Sequence, residues 1–277
     1  MTAYIFRRVL ILIPILVGVS FLVFGALYVV PGDAIDSMLA ESGARAQDVA
    51  RLRREFGLDK PFLAQYLTFL TRALHGDFGR SIRLRIPVRD AILDQLPATL
   101  ELTLAALVIA TVIGLALGVV AAARRGTWAD TLTMMLSLVG VSMPIFWSGL
   151  LLIFLFSLKL GWLPAAGTGG LAALILPAFT LGFSGAAIIA RVTRSSLLEV
   201  LGREYVRTAR AKGVVERRVV MRHALRNALI SVATIVGLQF GALLGGAVVV
   251  ETVFGRQGIG FLAADAIRSK DFPLVQG

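Results

Sequence analysis

Leu229–Val250 reads LISVATIVGLQFGALLGGAVVV, a run with no Asp, Glu, Lys, Arg or His. A helix rises about 1.5 Å per residue and the hydrocarbon core of a bilayer is about 30 Å thick, so roughly 20 such residues cross it. Four further runs reach that length: Val9–Val30, Leu102–Ala123, Leu132–Leu158 and Leu171–Ala190. Composition agrees. Only 16% of residues are charged and 57% are hydrophobic, against about 25% charged in an average soluble domain. Mean hydropathy is +0.82. The reading is an all-α polytopic membrane protein with five spans visible. Arg7 and Arg8 precede the first run as they would in a signal peptide. Its apolar core exceeds the roughly 7–15 residues of such a peptide, and no small-residue cleavage pattern follows, so it reads as a retained helix. The chain has no cysteine, which removes disulfides and thiolate metal sites.

Immediately before Leu229 lies a hydrophilic island, Glu199–Asn227, the most basic stretch between two spans. From Arg191 to Arg226 there are ten Lys/Arg and three Glu. Basic residues collect in short cytoplasmic loops, so Arg7–Arg8, Arg124–Arg125 and the island are placed inside. Alternation puts Pro31–Pro97 and Gly161–Gly170 outside and the N-terminus in the cytoplasm. The long outer loop holds ten basic and nine acidic residues, and loops beyond about 60 residues translocate largely regardless of charge. The net charge of +11 sits beside spans and carries no nucleic-acid fold signature, so no nucleic-acid partner is expected.

Within the outer loop, Ala46–Phe56 has a helix-favouring pattern closed by Gly57. Pro61 then opens a second helix with Phe62, Tyr66, Phe69, Leu70 and Ala73 on one face before Gly76. The loop reads as a cap on the spans or as a receiving surface for a soluble partner.

Four of the spans contain no ionisable residue. Ion-coupled transporters concentrate such groups near the midplane, so that apparatus is missing. What remains is Ser137, Ser142, Ser148, Ser157, Thr180, Ser184, Ser231, Thr234 and Gln239, with backbone freed by Pro144 and Pro177. The pathway candidates are Ser142, Met143, Pro144, Ser184 and Gln239. The alternative is that these groups only bond neighbouring helices. Gly237, Gly241 and Gly245 form a small-residue ridge, repeated once by Gly114 and Gly118, for close helix packing within this subunit or against another. Pro144 is expected to kink its helix.

No catalytic constellation is present. His75 and His223 fall on opposite sides of the membrane by this topology and cannot share a metal. There is no phosphate-binding G-x-x-x-x-G-K-[ST] loop, no G-x-S-x-G and no H-E-x-x-H. The chain is expected to have no cofactor, metal or ATPase site of its own, so any power for transport comes from another polypeptide.

In the island, Ser196 with Glu199 predicts a capping box and a helix start near Leu197. Arg203, Arg207 and Arg210 share one face, Leu198, Leu201, Tyr205 and Ala209 lie more to another, and Gly213 ends the helix. Physically this is either a docking helix or a positive-inside loop on anionic lipid.

The string R-E-Y-V-R-T-A-R-A-K-G from Arg203, followed by H-A-L-R-N from His223, resembles the signature of permease subunits of binding-protein-dependent ABC importers. The match is to the dipeptide, oligopeptide and nickel permease family. R-R-V-L-I-L-I-P at Arg7, P-G-D at Pro31, G-D-F-G-R-S at Gly76, L-P-A-T-L-E-L at Leu96, G-W-L-P-A at Gly161 and G-G-A-V-V-V-E-T-V-F-G at Gly245 agree. P-G-D and the long outer loop resemble the first of the two permeases in such systems.

The resemblance implies a type I permease fold in a bacterial inner membrane. It divides the chain into 1–30 with the first helix, an external loop over 31–97, and a permease core over 98–277. The core carries spans near 102–123, 132–158, 171–190 and 229–250 and a coupling segment over 196–227. That segment would dock on an ATPase through Arg203, Glu204, Tyr205, Arg207, Thr208, Ala209, Arg210, Ala211, Lys212, Gly213, His223, Leu225 and Asn227. The implied partners are a second homologous permease, two ATPase subunits that bind ATP and Mg, an external solute-binding protein, and membrane lipid. The implied substrates are short peptides, with glutathione or nickel as alternatives. An ATP-independent transporter or channel is the reading from another class. The family pattern has proline after Leu225 and near Ser231; here Arg226 and Ser231 stand there, so a less sharply broken entry to the fifth span is expected. Family members continue past a D-F-P-L-V-Q-G-like string into a further span, so a sixth span is expected beyond the sequence.

Overall fold

The computed structural model describes residues 2–29, 60–167 and 169–277. The P-G-D string at Pro31 and the helix expected over Ala46–Phe56 lie outside the described residues. The rest is helical. The elements are α1 Thr2–Val29, α2 Phe62–Leu74, α3 Val88–Ala123, α4 Trp128–Ser142, α5 Ile145–Leu152, α6 Gly170–Leu201, α7 Glu204–Ala211, α8 Glu216–Arg218, α9 Leu225–Phe254, α10 Ile259–Arg268 and α11 Phe272–Gln276. A π-helical turn over Ile153–Lys159 extends α5, and another over Val219–Ala224 joins α8 to α9. Among the described residues the only extended pairing is an isolated bridge between Arg80 and Pro87.

Among the described residues four helices are long and apolar enough to cross a membrane: Phe6–Val29, Val88–Ala123, Gly170–Leu201 and Glu216–Phe254. Trp128–Ser142 and Ile145–Lys159, bent by 107° at the break between them, pass the same test only when taken together, which gives a fifth span if the pair counts as one. The sequence predicts one kinked helix over Leu132–Leu158; the structure breaks it outright. Met143 leaves the helical region, and Pro144, with no N–H to donate, caps the start of α5. The run Leu102–Ala123 is the inner part of a longer helix that begins at Val88 and contains Pro97.

The chain forms two compact units, Met1–Gln95 with Leu262–Gly277, and Leu96–Phe261. In the first, α2 opens at Pro61 as its sequence predicts and lays its aromatic face on α1. Phe24 meets Phe62, Tyr66 and Phe69, with ring centroids 5.4, 5.5 and 6.2 Å apart. The Tyr66 hydroxyl donates to the Val17 carbonyl at 3.0 Å. A second knot in this unit surrounds Asp271, which is fully buried. Its carboxylate accepts from Ser81 Oγ at 2.6 Å, from the N–H of Ile82 at 3.2 Å and from the N–H of Arg83 at 3.0 Å. These bonds shape the hairpin around the Arg80–Pro87 bridge, and Arg83 also pairs with Asp265.

In the second unit α6 is the most enclosed span and packs against α3, α4, α5 and α9. Small residues set these distances. A Cβ on Gly182 would sit 2.7 Å from the Ala106 carbonyl oxygen, and one on Gly118 would sit 2.7 Å from that of Ala190. Gly114 meets Ala186 and Ile189 in the same way. Gly237, Gly241 and Gly245 differ: a Cβ there meets nothing within 4 Å, so their ridge packs against no described part of this chain. Leu102, Leu174, Leu181, Leu243, Val250 and Phe254 form the largest core cluster.

Candidate functional site

The island folds as a short helix clipped between two long ones. The capping box expected at Ser196 and Glu199 is not formed. Ser196 lies inside α6, which continues to Leu201, because an N-cap needs a non-helical residue and everything from Gly170 onward is already helical. The break falls at Gly202–Arg203 instead, and α7 starts at Glu204. Glu204 in its first turn and Arg210 in its last both oppose the helix dipole favourably. Gly213, at φ +75°, ends it as predicted. Val214 N–H reaches the Ala209 carbonyl at 3.3 Å and Gly213 N–H the Arg210 carbonyl at 2.9 Å, the paired bonds of a Schellman cap.

Three polar clips fix α7 to its flanks. Arg203 bridges back to Glu199 on α6. Arg210 grips Glu216 on α8 with two bonds, Nε to Oε2 at 3.0 Å and Nη2 to Oε1 at 2.6 Å. Asn227 Nδ2 donates to the Tyr205 hydroxyl at 2.6 Å, joining α7 to the first turn of α9. The Arg210 hydrogen bonds and charge hold the Glu216 carboxyl below its ordinary value, and that carboxylate raises Arg210. Val206 is the one fully buried residue of α7. Between the helices that flank α7, Ala122 of α3, Leu197 of α6, Val220 and Ala224 of the π turn and Ala228 of α9 make one apolar cluster, with Leu225 against it.

The exposed side of α7 carries Arg203, Glu204, Tyr205, Arg207, Thr208, Arg210 and Ala211, followed by Lys212 and Gly213. Ala209 and His223 are half-buried. The structure therefore brings most of the predicted coupling residues onto one short exposed helix and uses Asn227 and Leu225 to brace it. Entry into the fifth span, where Arg226 and Ser231 replace prolines, is an unbroken helix relieved by the π turn over Val219–Ala224.

The pathway candidates divide. Ser142, Met143 and Pro144 line one open depression at the break between α4 and α5, with Val139, Phe146 and Trp147. Ser184 and Gln239 do not line it. Ser184 Oγ donates to the Leu181 carbonyl, and Gln239 is buried beside Gly185. The hydroxyls of Ser137, Ser148, Thr180 and Thr234 likewise donate to carbonyls of their own helix, so they do not serve as bridges to neighbouring helices. No group of His, Asp and Glu able to hold a metal exists among the described residues.

Two polar knots escaped the sequence reading. Arg194 on α6 grips Asp130 at the start of α4 with two bonds of 2.6 and 2.8 Å, and Gly126 N–H adds a third donor. Asp130 lies just outside the run that begins at Leu132, which is the signal that could have exposed it. Glu251, just past Val250, is fully buried. Its carboxylate accepts from Thr99 Oγ1 at 2.6 Å and from Phe261 N–H at 3.0 Å, while Ile259 N–H donates to the same Thr99 oxygen. Gly255 turns the chain at φ +59°, and Arg256 folds inward to pair with Glu101.

Comparison with known proteins follows the same outline. Residues 114–277 match the family described as binding-protein-dependent transport system inner membrane component, and residues 1–103 match its N-terminal companion. The chain is 45% identical over 276 residues to the glutathione transport system permease protein GsiC of Escherichia coli (strain K12), covering all of this chain and 90% of that protein. GsiC of Salmonella typhimurium (strain LT2) gives the same identity and coverage. Among solved structures, an amino acid ABC transporter superposes with TM-score 0.52 at 18% identity, over 67% of this chain and 83% of that one. The methionine ABC transporter MetNI in an inward-facing form gives 0.53 at 21%, over 66% and 86%. At those identities the superpositions speak for the fold alone. The two family matches and the 45% identity over the chain show that this is a multi-pass membrane transport subunit, classed as a permease rather than an enzyme, and that it belongs to the binding-protein-dependent ABC importer permeases.

Proposed function

We propose that the chain is the first permease subunit of an ATP-driven importer for glutathione or a closely similar short peptide. The observation that carries the mechanism is α7: short, exposed, and clipped at both ends to α6 and α9 by Glu199–Arg203, Arg210–Glu216 and Tyr205–Asn227. A helix held this way transmits a push to two spans as one body, since its flanking helices are themselves joined by the cluster of Ala122, Leu197, Val220 and Ala228. In this reading α7 sits on a partner ATPase in the cytoplasm, where the N-terminus also lies. The ATPases hold ATP and Mg, a second homologous permease completes the pathway, and an external binding protein delivers the substrate. The broken span at Ser142–Pro144 contributes to the pathway.

For the substrate, the sequence puts short peptides first and glutathione among the alternatives. The 45% identity to glutathione permeases reverses that order. Glutathione is itself a short peptide, and apolar runs free of ionisable residues at the centre of the spans suit a solute delivered from outside better than a coupled ion.

The test is reconstitution with the cognate ATPase subunits, second permease and binding protein. Labelled glutathione uptake and glutathione-stimulated ATP hydrolysis are measured against a dipeptide and nickel panel. Ala211→Trp and Arg207→Glu alter exposed positions, so each is expected to lower both rates by about tenfold or more while the chain still folds. Unchanged rates refute the coupling role, and uptake of dipeptide or nickel without glutathione refutes the substrate.

A further inference from the structure

We propose that Arg218, Arg222 and Arg226 form a ladder that binds the phosphate of an anionic phospholipid at the head of α9. All three are exposed, and none of their side chains makes an ion pair or hydrogen bond with the described residues. The nearest acid in sequence, Glu216, is already taken by both donor groups of Arg210. From Arg217 to Val250 the sequence has no other acidic residue. The ladder therefore holds three positive charges that the fold leaves unanswered.

The π turn over Val219–Ala224 aligns them. In an α-helix four residues overshoot one turn by about 40°, so a repeat of four winds around the surface. A π turn takes more than four residues, so the same step falls short. The step from Arg218 to Arg222 lies within the π turn and the step to Arg226 crosses into α9, so the ladder winds less than the same spacing would on an α-helix, over about 12 Å at the α-helical rise.

Arg226, Arg222 and Arg218 precede the apolar run at Leu229 by roughly 4, 10 and 16 Å along the axis, and the polar layer on each side of the hydrocarbon is about 5–8 Å thick, so Arg226 stands in that layer and the other two reach toward it from the aqueous side. Arginine stems reach the rest of the way to phosphate oxygens, which the guanidinium fork matches. Ile230, exposed and apolar, follows the ladder where acyl chains begin, and Met221, also exposed and apolar, lies between its first two rungs. A soluble protein surface would leave those two side chains in water; a lipid covers them. The proposal depends on α9 being a span and is independent of substrate and of orientation.

The experiment uses the full-length chain purified with its partner subunits in detergent. Phosphatidylglycerol and phosphatidylcholine are added as probes, and bound lipid is counted by native mass spectrometry. The wild-type complex is expected to retain phosphatidylglycerol over phosphatidylcholine. The triple variant R218Q/R222Q/R226Q is expected to lose that preference by roughly tenfold to a hundredfold. The variant R218K/R222K/R226K keeps the charge and is expected to stay within a few-fold of wild type, which separates loss of the site from loss of folding. Inorganic phosphate in excess is expected not to displace the lipid. Equal phosphatidylglycerol binding by the glutamine variant overturns the proposal. So does displacement by free phosphate, or release of the ATPase subunits with lipid binding unchanged, which would make the ladder a protein contact.

Discussion

Replacing Glu251 by Ala tests whether a buried carboxylate holds the α9–α10 corner to α3. The wild-type side chain accepts from Thr99 Oγ1 at 2.6 Å and from Phe261 N–H at 3.0 Å, and Thr99 relays a bond from Ile259 N–H at 2.8 Å. Alanine leaves two buried donors without acceptors, at about 1–3 kcal/mol each, and an emptied volume beside Gly258 and Gly260. A total loss of about 2–5 kcal/mol follows, and at about 2–4 °C per kcal/mol for a chain of this size the unfolding midpoint drops by about 5–15 °C. Glu251→Gln keeps one acceptor but turns an amide N–H₂ toward the other donor, so its expected loss is smaller, about 1–3 kcal/mol. Thr99→Val breaks the same relay, and the double variant Thr99→Val/Glu251→Ala is expected to lose less than the sum of the two. The assay is thermal unfolding of the purified chain in detergent, followed by the fluorescence of Trp128, Trp147 and Trp162. A midpoint within about a degree of wild type for Glu251→Ala, or strictly additive losses, refutes the reasoning.

Asp130→Ala strands the Arg194 guanidinium, and the same assay is expected to show a loss of about 2–3 kcal/mol, partly recovered in Asp130→Ala/Arg194→Met because the unpaired charge is then gone. Gly182→Ala drives a Cβ to 2.7 Å from the Ala106 carbonyl and is expected to cost about 1–3 kcal/mol, whereas Gly237→Ala enters open space and is expected to leave the isolated subunit unchanged; equal effects would refute the packing account. Glu216 has a folded pKa below its unfolded value, so the stability it contributes is fully present above the unfolded value and is lost as pH falls through the folded one. Protection of the α7 amides, corrected for the intrinsic exchange rate at each pH, is therefore expected to fall below the ordinary glutamate range, with Glu216→Gln already less protected and its protection unchanged over that range; an identical profile for both would refute the clip.

The spans were legible because a long uncharged run has few alternatives in any fold. Gly213 was legible too, since only a left-handed terminus explains glycine at the end of an arginine-patterned helix. Local rules failed where the preceding chain overrode them. Ser196 and Glu199 have capping-box spacing, yet the helix from Gly170 passes straight through them. Pro144 announced a disturbance but not its size, because the 107° bend depends on Met143 leaving the helix and on how α5 then packs against α6 and α9. The Thr99–Glu251 bond joins residues 152 positions apart, and nothing in the neighbourhood of either predicts the other. The glycine pairs at Gly114 and Gly118 and at Gly237, Gly241 and Gly245 look alike in sequence, and only the folded chain separates a filled contact from an open face.

The carboxylate of Asp271 sits 190 positions after the Ser81 hydroxyl it accepts. During synthesis at about 5–20 residues per second, the hairpin around Arg80–Pro87 waits roughly 10–40 seconds for that partner to be made. Its three donors are held by water meanwhile, and four more spans are laid into the membrane before the knot can close. Closing it is thus a late step in biogenesis: a chain arrested before Asp271 already carries α1 to α10, yet the hairpin's donors still lack their carboxylate.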